Sequence, residues 1–162
     1  MTAVDAPVQV GDDREPLTGA PGECLVLSCD FSLPTDPVSV SASRAIAGQT
    51  LDAWGFARGD ALRETALLVL SELVTNSVRH AAALSPQVDI GLSLTDGELT
   101  VAVHDRHPHR PVPLPGPRAD GDGGWGLRLV SDLAAGTGGA MAVRADRDGP
   151  GKTVAARLAL GA

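Results

Sequence analysis

From Leu25 the chain alternates. Leu25, Leu27, Cys29 and Phe31 fall on one side, and Val26, Ser28 and Asp30 on the other. This period of two predicts a half-buried strand, which Pro34 and Pro37 bring to an end. The period then changes. Val38, Ala42, Ala45, Ile46, Gln49, Leu51 and Trp54 sit near helical spacing, with Gly55 as the stop. Asp60 is a candidate N-cap, with Arg63 and Glu64 close behind, for a second helix running to about residue 83; Pro86 closes that region. Val88, Ile90, Leu92 and Leu94 alternate again, Asp96-Gly97 is a hairpin turn signal, and Leu99, Val101 and Val103 carry the returning strand. A third helix starts near Gly124 and runs to about residue 135. Strands follow over 140–145 and 153–160, joined by a DRDGPG turn. The order β-α-α-β-β-loop-α-β-β has no regular βαβ alternation and no internal repeat. It predicts an α+β fold, a two-layer sandwich with a mostly antiparallel sheet and helices on one face.

At 162 residues this is the length of one domain. Hydrophobic residues make up 43% and aromatics 2%, so the core must be built from Val, Leu, Ile and Ala. A net charge of -7 without a Lys/Arg cluster argues against nonspecific nucleic-acid binding. No apolar run approaches the roughly 20 residues needed to span a bilayer. The first residues, MTAVDAPVQVGDDREPLTG, carry neither a basic nor an apolar signal region. Residues 1–22, rich in Pro, Gly and Asp, read as a disordered tail before a domain over 23–162. Cys24 and Cys29 lie five apart in what reads as one strand, so their side chains point to opposite faces. Reduced thiols in a cytoplasm fit best.

The chemistry gathers in SELVTNSVRHA, residues 71–81. Glu72, Asn76 and His80 are spaced by four, so on a helix they drift by only about 40° per step and form one stripe. Leu67, Leu70, Val74, Val78 and Ala81 take the opposite side, and Leu68, Val69 and Leu73 flank the stripe. A helix this apolar is substantially covered, so the stripe lines a cleft or forms a solvated edge with a Glu–Asn contact. Residues 104–124, HDRHPHRPVPLPGPRADGDGG, contain five prolines and no periodicity, as functional or disordered loops do. After them comes GGWGLRLV, where glycines at a helix start would let backbone approach a phosphate or would serve as a flexible linker. GPGKT at 149–153 resembles the end of a P-loop, but Asp146 stands where that motif requires Gly, and the segment lies between strands. His104, His107 and His109 lack the second ligand cluster of a structural zinc site and read as loop histidines.

ELVTNSVRHA, VHDRHPHRP, GGWGLRLV and GKT, in that order, resemble the four boxes of the GHKL (Bergerat-fold) ATPases. The branch they resemble is that of the anti-sigma-factor serine kinases and their actinobacterial single-domain relatives, and SVSASRAIAGQTLDAWG is similar to its first helix. The resemblance covers about residues 24–160. It implies ATP and Mg²⁺ as cofactors, with Asn76 as the magnesium ligand and Glu72 as the catalytic base. Arg79 and His80 would approach the phosphates, and Asp105 would accept a hydrogen bond from the adenine amino group. Gly124 and Gly126 would belong to the second glycine box, residues 106–123 to the ATP lid, and Thr153 to a hydroxyl position near adenine. The chain departs from the branch at Gly136-Thr137-Gly138-Gly139, where a Trp-Gly pair is common, at Ser77, where Ala is commoner, and at Trp125 inside the glycine box. The implied function is a protein serine/threonine kinase acting on an anti-anti-sigma (STAS-like) partner. The rival is a non-catalytic ATP-binding module that sequesters a sigma factor. A histidine-kinase catalytic half ranks below both, for want of a phospho-acceptor hairpin. A homodimer through the first helix is usual in the branch.

Overall fold

The computed structural model describes residues 25–110 and 125–161. The tail over 1–22, Cys24, most of the lid segment and Gly124 lie outside the described residues. Eight elements follow in the expected order. They are β1 (Leu27–Pro34), α1 (Val38–Ala53), α2 (Ala61–Ala81), β2 (Gln87–Leu94), β3 (Glu98–Asp105), α3 (Trp125–Thr137), β4 (Ala140–Ala145) and β5 (Lys152–Ala159). The five strands form one antiparallel sheet in the order β1-β2-β3-β5-β4. The fold is α+β, an open sheet with three helices.

The period-two pattern decides which side of each strand is covered. Leu99, Val101 and Val103 of β3 and Val154, Ala156 and Leu158 of β5 are buried beneath the helices with Val88, Ile90 and Leu92 of β2. From α2, Leu67, Val69, Leu70, Leu73 and Val74 enter the same core, and Leu127, Val130 and Ala134 do so from α3. Each fully buried Leu, Ile or Val contributes roughly 1.5–3 kcal/mol relative to an exposed one. Such residues fill the space that aromatics fill in other domains.

Helix α2 begins where its N-cap permits. The Asp60 carboxylate accepts from the backbone N–H groups of Leu62 and Arg63, at 2.9 and 3.2 Å. Arg63 joins α2 to α1: its Nε and Nη2 donate to Asp52 Oδ1 at 3.2 and 3.0 Å. Gly136-Thr137-Gly138-Gly139 acquires a structural reason. Gly138 has φ +92°, which ends α3 in the left-handed region. The Gly138 and Gly139 N–H groups bond back to the Ala135 and Ala134 carbonyls, both at 2.9 Å. A Cβ at Gly139 would overlap the Arg157 carbonyl of β5, so only glycine fits this corner.

Candidate functional site

The polar stripe of α2 faces α3. Glu72, Thr75, Asn76, Arg79 and His80 line one cleft with Gly126 and Leu127 of α3, enclosing about 70 Å³. Glu72 and Asn76 are half-buried, and Arg79 and His80 are exposed at the mouth. The stripe therefore borders a cleft, as one of the two sequence readings required. Gly126 is part of its wall: a Cβ there would lie 2.6 Å from Glu72 Oε2. The first turn of α3 thus lies against the Glu72 carboxylate with no room for a side chain between them.

The second part of the site lies at the end of β3. Asp105 is 3% exposed and Lys152 is 4% exposed. Lys152 Nζ lies 2.7 Å from Asp105 Oδ1 and also donates to the His107 carbonyl at 3.3 Å. Ser77 Oγ donates to Asp105 Oδ2 at 2.7 Å, and the His107 N–H donates to Oδ1 at 3.0 Å. A carboxylate this deep needs such compensation, since an unpaired buried charge is very costly. Ser77 is the α2 residue that follows Asn76, so the same helix carries the stripe into the cleft and a hydroxyl to Asp105. Beside them the fully buried Ser85 accepts from the Arg106 N–H at 3.0 Å and donates to the Gln87 carbonyl at 2.7 Å. This pins the chain as it leaves β3.

The fold does not bring Thr153 to this cleft, which corrects the sequence expectation. Thr153 pairs with His104, whereas Lys152 pairs with Asp105. Paired residues share a face, and neighbours along a strand take opposite ones. Thr153 therefore lies on the sheet face away from the helices, in a groove of about 360 Å³ shared with Asp30, Asp89 and His104. The β5 residue that reaches Asp105 is Lys152. Two residues of the site, Ser77 and Lys152, escaped the reading from sequence. The signal for Lys152 was present in the parity it shares with Val154, Ala156 and Leu158.

His104 on the outer face is held between two carboxylates. Its Nδ1 lies 3.1 Å from Asp89 Oδ2 and its Nε2 lies 2.8 Å from Asp146 Oδ2. Desolvation by burial pulls its pKa down. The hydrogen bonds to Asp146 and Asp89, with their charges, outweigh that pull and raise the pKa above 6.5. His107 Nδ1 accepts from the His109 N–H at 3.0 Å. Among the described residues no group of three or more His, Cys, Asp or Glu side chains is arranged to hold a metal ion. Nor is any helix among them long and apolar enough to cross a membrane.

A family model described as "Histidine kinase-like ATPase domain" matches residues 33–158. No curated protein matches the chain. Among solved structures, the crystal structure of the RsbU and RsbW domains of Rv1364c from Mycobacterium tuberculosis is similar with a TM-score of 0.59 at 18% identity. The match covers 84% of this chain and 34% of that one, so the chain spans about a third of that protein's length. At this identity the likeness speaks for the fold.

Proposed function

Since the chain belongs to the histidine kinase-like ATPase family, we infer that it is an ATP-binding regulator of the anti-sigma type. It transfers phosphate to serine or threonine of an anti-anti-sigma-like partner, in the cytoplasm, and so regulates transcription. The observation that carries this reading is the convergence of Glu72, Asn76, Arg79 and His80 on one cleft against Gly126. The side chains fit Mg·ATP. The Asn76 amide supplies a neutral oxygen suited to a hard cation that keeps most of its ligands from phosphate and water. Arg79 and His80 at the mouth suit phosphate oxygens, and Asp105 suits an amino group of the base. Gly126 leaves room for phosphate next to the start of α3.

When bound, Mg·ATP supplies the phosphoryl group and the metal charge that offsets its oxygens. The protein's part is positioning and charge neutralisation. Glu72 would orient the acceptor hydroxyl and take its proton, Asn76 would hold the metal, and Arg79 would offset phosphate charge.

A second reading rests on the Asp105 cluster. Because Lys152 and Ser77 already engage that carboxylate, a module that sequesters a sigma factor without chemistry is the alternative. Glu72→Gln separates the two. It keeps shape and hydrogen bonding and removes the proton acceptor. Nucleotide binding should survive, while transfer of labelled phosphate to the captured partner falls by roughly 10²–10⁴-fold. Asn76→Ala should lose metal-dependent binding and transfer together. Equal transfer by wild type and Glu72→Gln would remove Glu72 as the base. Tight partner binding with no transfer by either would favour the sequestering module.

A further inference from the structure

The Lys152–Asp105 pair is not used by the kinase reading, which calls on the carboxylate alone. Hydrogen-bond capacity limits what the pair can do. An ammonium has three donors, and Lys152 spends two of them, on Asp105 Oδ1 and on the His107 carbonyl. A carboxylate has about four acceptor positions, and Asp105 fills three of them, with Ser77 Oγ, the His107 N–H and Lys152 Nζ. One donor on Lys152 Nζ is left, and the remaining acceptor position of Asp105 is on Oδ2, because Oδ1 already takes both Lys152 and the His107 N–H.

We propose that Lys152 is a base-reading residue: with Asp105 it presents a donor beside an acceptor to the edge of a purine that carries a ring-nitrogen acceptor next to an amino donor. Adenine has that edge. Its amino group donates to Asp105, and its N1 accepts from Lys152. Guanine in the same pose sets its O6 against the carboxylate and its N1–H against the ammonium, so both contacts become repulsive. A hydroxyl such as that of Thr153 could turn its hydrogen either way. An ammonium has no acceptor and fixes the sense of the contact. Because both groups are almost fully covered, the base reaches them only where the His107 backbone gives way, and each bond His107 releases frees a further donor or acceptor for the base.

The inference rests on the nucleotide reading, and the test separates the two. Calorimetry on the wild-type chain compares ATP with 1-deaza-ATP, in which C–H replaces N1. A hydrogen bond to a charged group should make ATP roughly 10- to 100-fold the tighter ligand. Lys152→Met should bind both analogues alike, at the weaker wild-type affinity, and Lys152→Gln, which keeps a donor, should recover part of the preference. The wild-type comparison needs no variant, so it stands even if Lys152→Met fails to fold. Equal wild-type affinities, a preference that persists in Lys152→Met, or tighter ATP binding by Lys152→Met would each overturn the proposal while leaving the nucleotide site intact. No binding of either nucleotide by folded protein would overturn both.

Discussion

Asp105 and Lys152 are as buried as the valines around them, and that burial makes the pair sensitive to one-sided change. Removing one partner strands a charge out of water, which costs about 3–5 kcal/mol. Replacing both by apolar groups of similar volume removes the stranded charge and is often near neutral. Asp105→Ala should therefore lower the unfolding free energy obtained from urea titration by an amount in that range, and Asp105→Leu combined with Lys152→Met should recover most of the loss. A single-variant cost below about 1 kcal/mol would mean that the pair is not formed in solution. This also bears on function, since weak nucleotide binding by Asp105→Ala is informative only once folding has been checked. Asp105 was legible from sequence because it ends an alternating strand within a known box. Ser77 was not, because its identity says nothing of what the helix faces. Lys152 was missed because a lysine in a core position is rare, and the strand was read as starting one residue later.

At the scale of elements, helix α2 was the most legible. Spacing by four on an apolar helix left few places for Glu72, Asn76 and His80 to point, and Asp60 marked the start with its carboxylate. What sequence could not give was the closeness of α2 to α3, which is a tertiary distance. Two glycines of α3 and its exit now separate activity from stability. At Gly126 the neighbour is the tip of Glu72, a side chain that can swing away. Ala is better than Gly in a helix by up to about 1 kcal/mol, so Gly126→Ala should melt no lower than wild type. On the proposed role of Glu72 as base, phosphoryl transfer should nonetheless fall, on the order of 10²-fold for a displacement of about 1 Å. At Gly139 the neighbour is the β5 backbone, with the Leu158 Cα 3.3 Å from a Cβ as well as the Arg157 carbonyl. Gly139→Ala must open the β4–β5 corner and should lose about 1–3 kcal/mol or more. Thermal melts beside a transfer assay check both. If Gly126→Ala lost stability and kept transfer, the assignment of Glu72 to the chemistry would fail.

On the scale of the whole molecule, the sheet has one face sealed by helices and one without them among the described residues, and the two are held together differently. The sealed face was readable as a list of Val, Leu and Ile positions. The outer face was not, because its residues are small or polar and their partners lie far apart in sequence. Across its middle run Gly91, Ala102, Ala155 and Ala142, paired in sequence from β2 to β4. His104 binds three parts of that face: its own strand β3, Asp89 of β2, and Asp146 at the turn between β4 and β5. At that turn a Cβ on Gly151 would lie 2.7 Å from the Asp105 carbonyl and 3.0 Å from His104 Nε2, so the turn closes tightly on the histidine. The consequence for stability has a definite sign. The folded pKa of His104 lies above 6.5, close to the value in the unfolded chain, so folding favours the protonated imidazole. Stability from this clamp is fully present below about pH 6.5 and is lost as pH rises through the folded pKa. Asp89 and Asp146 are 54% and 32% exposed, so solvent screening keeps the effect small. It is best read as a difference between proteins. Urea midpoints measured from pH 5.5 to 8.5 should decline toward higher pH more steeply for wild type than for His104→Gln. Contributions from the other histidines and the carboxylates cancel in that comparison. Parallel pH profiles would show that His104 is not clamped as protonated imidazolium, and a steeper decline in the variant would reverse the assigned sign.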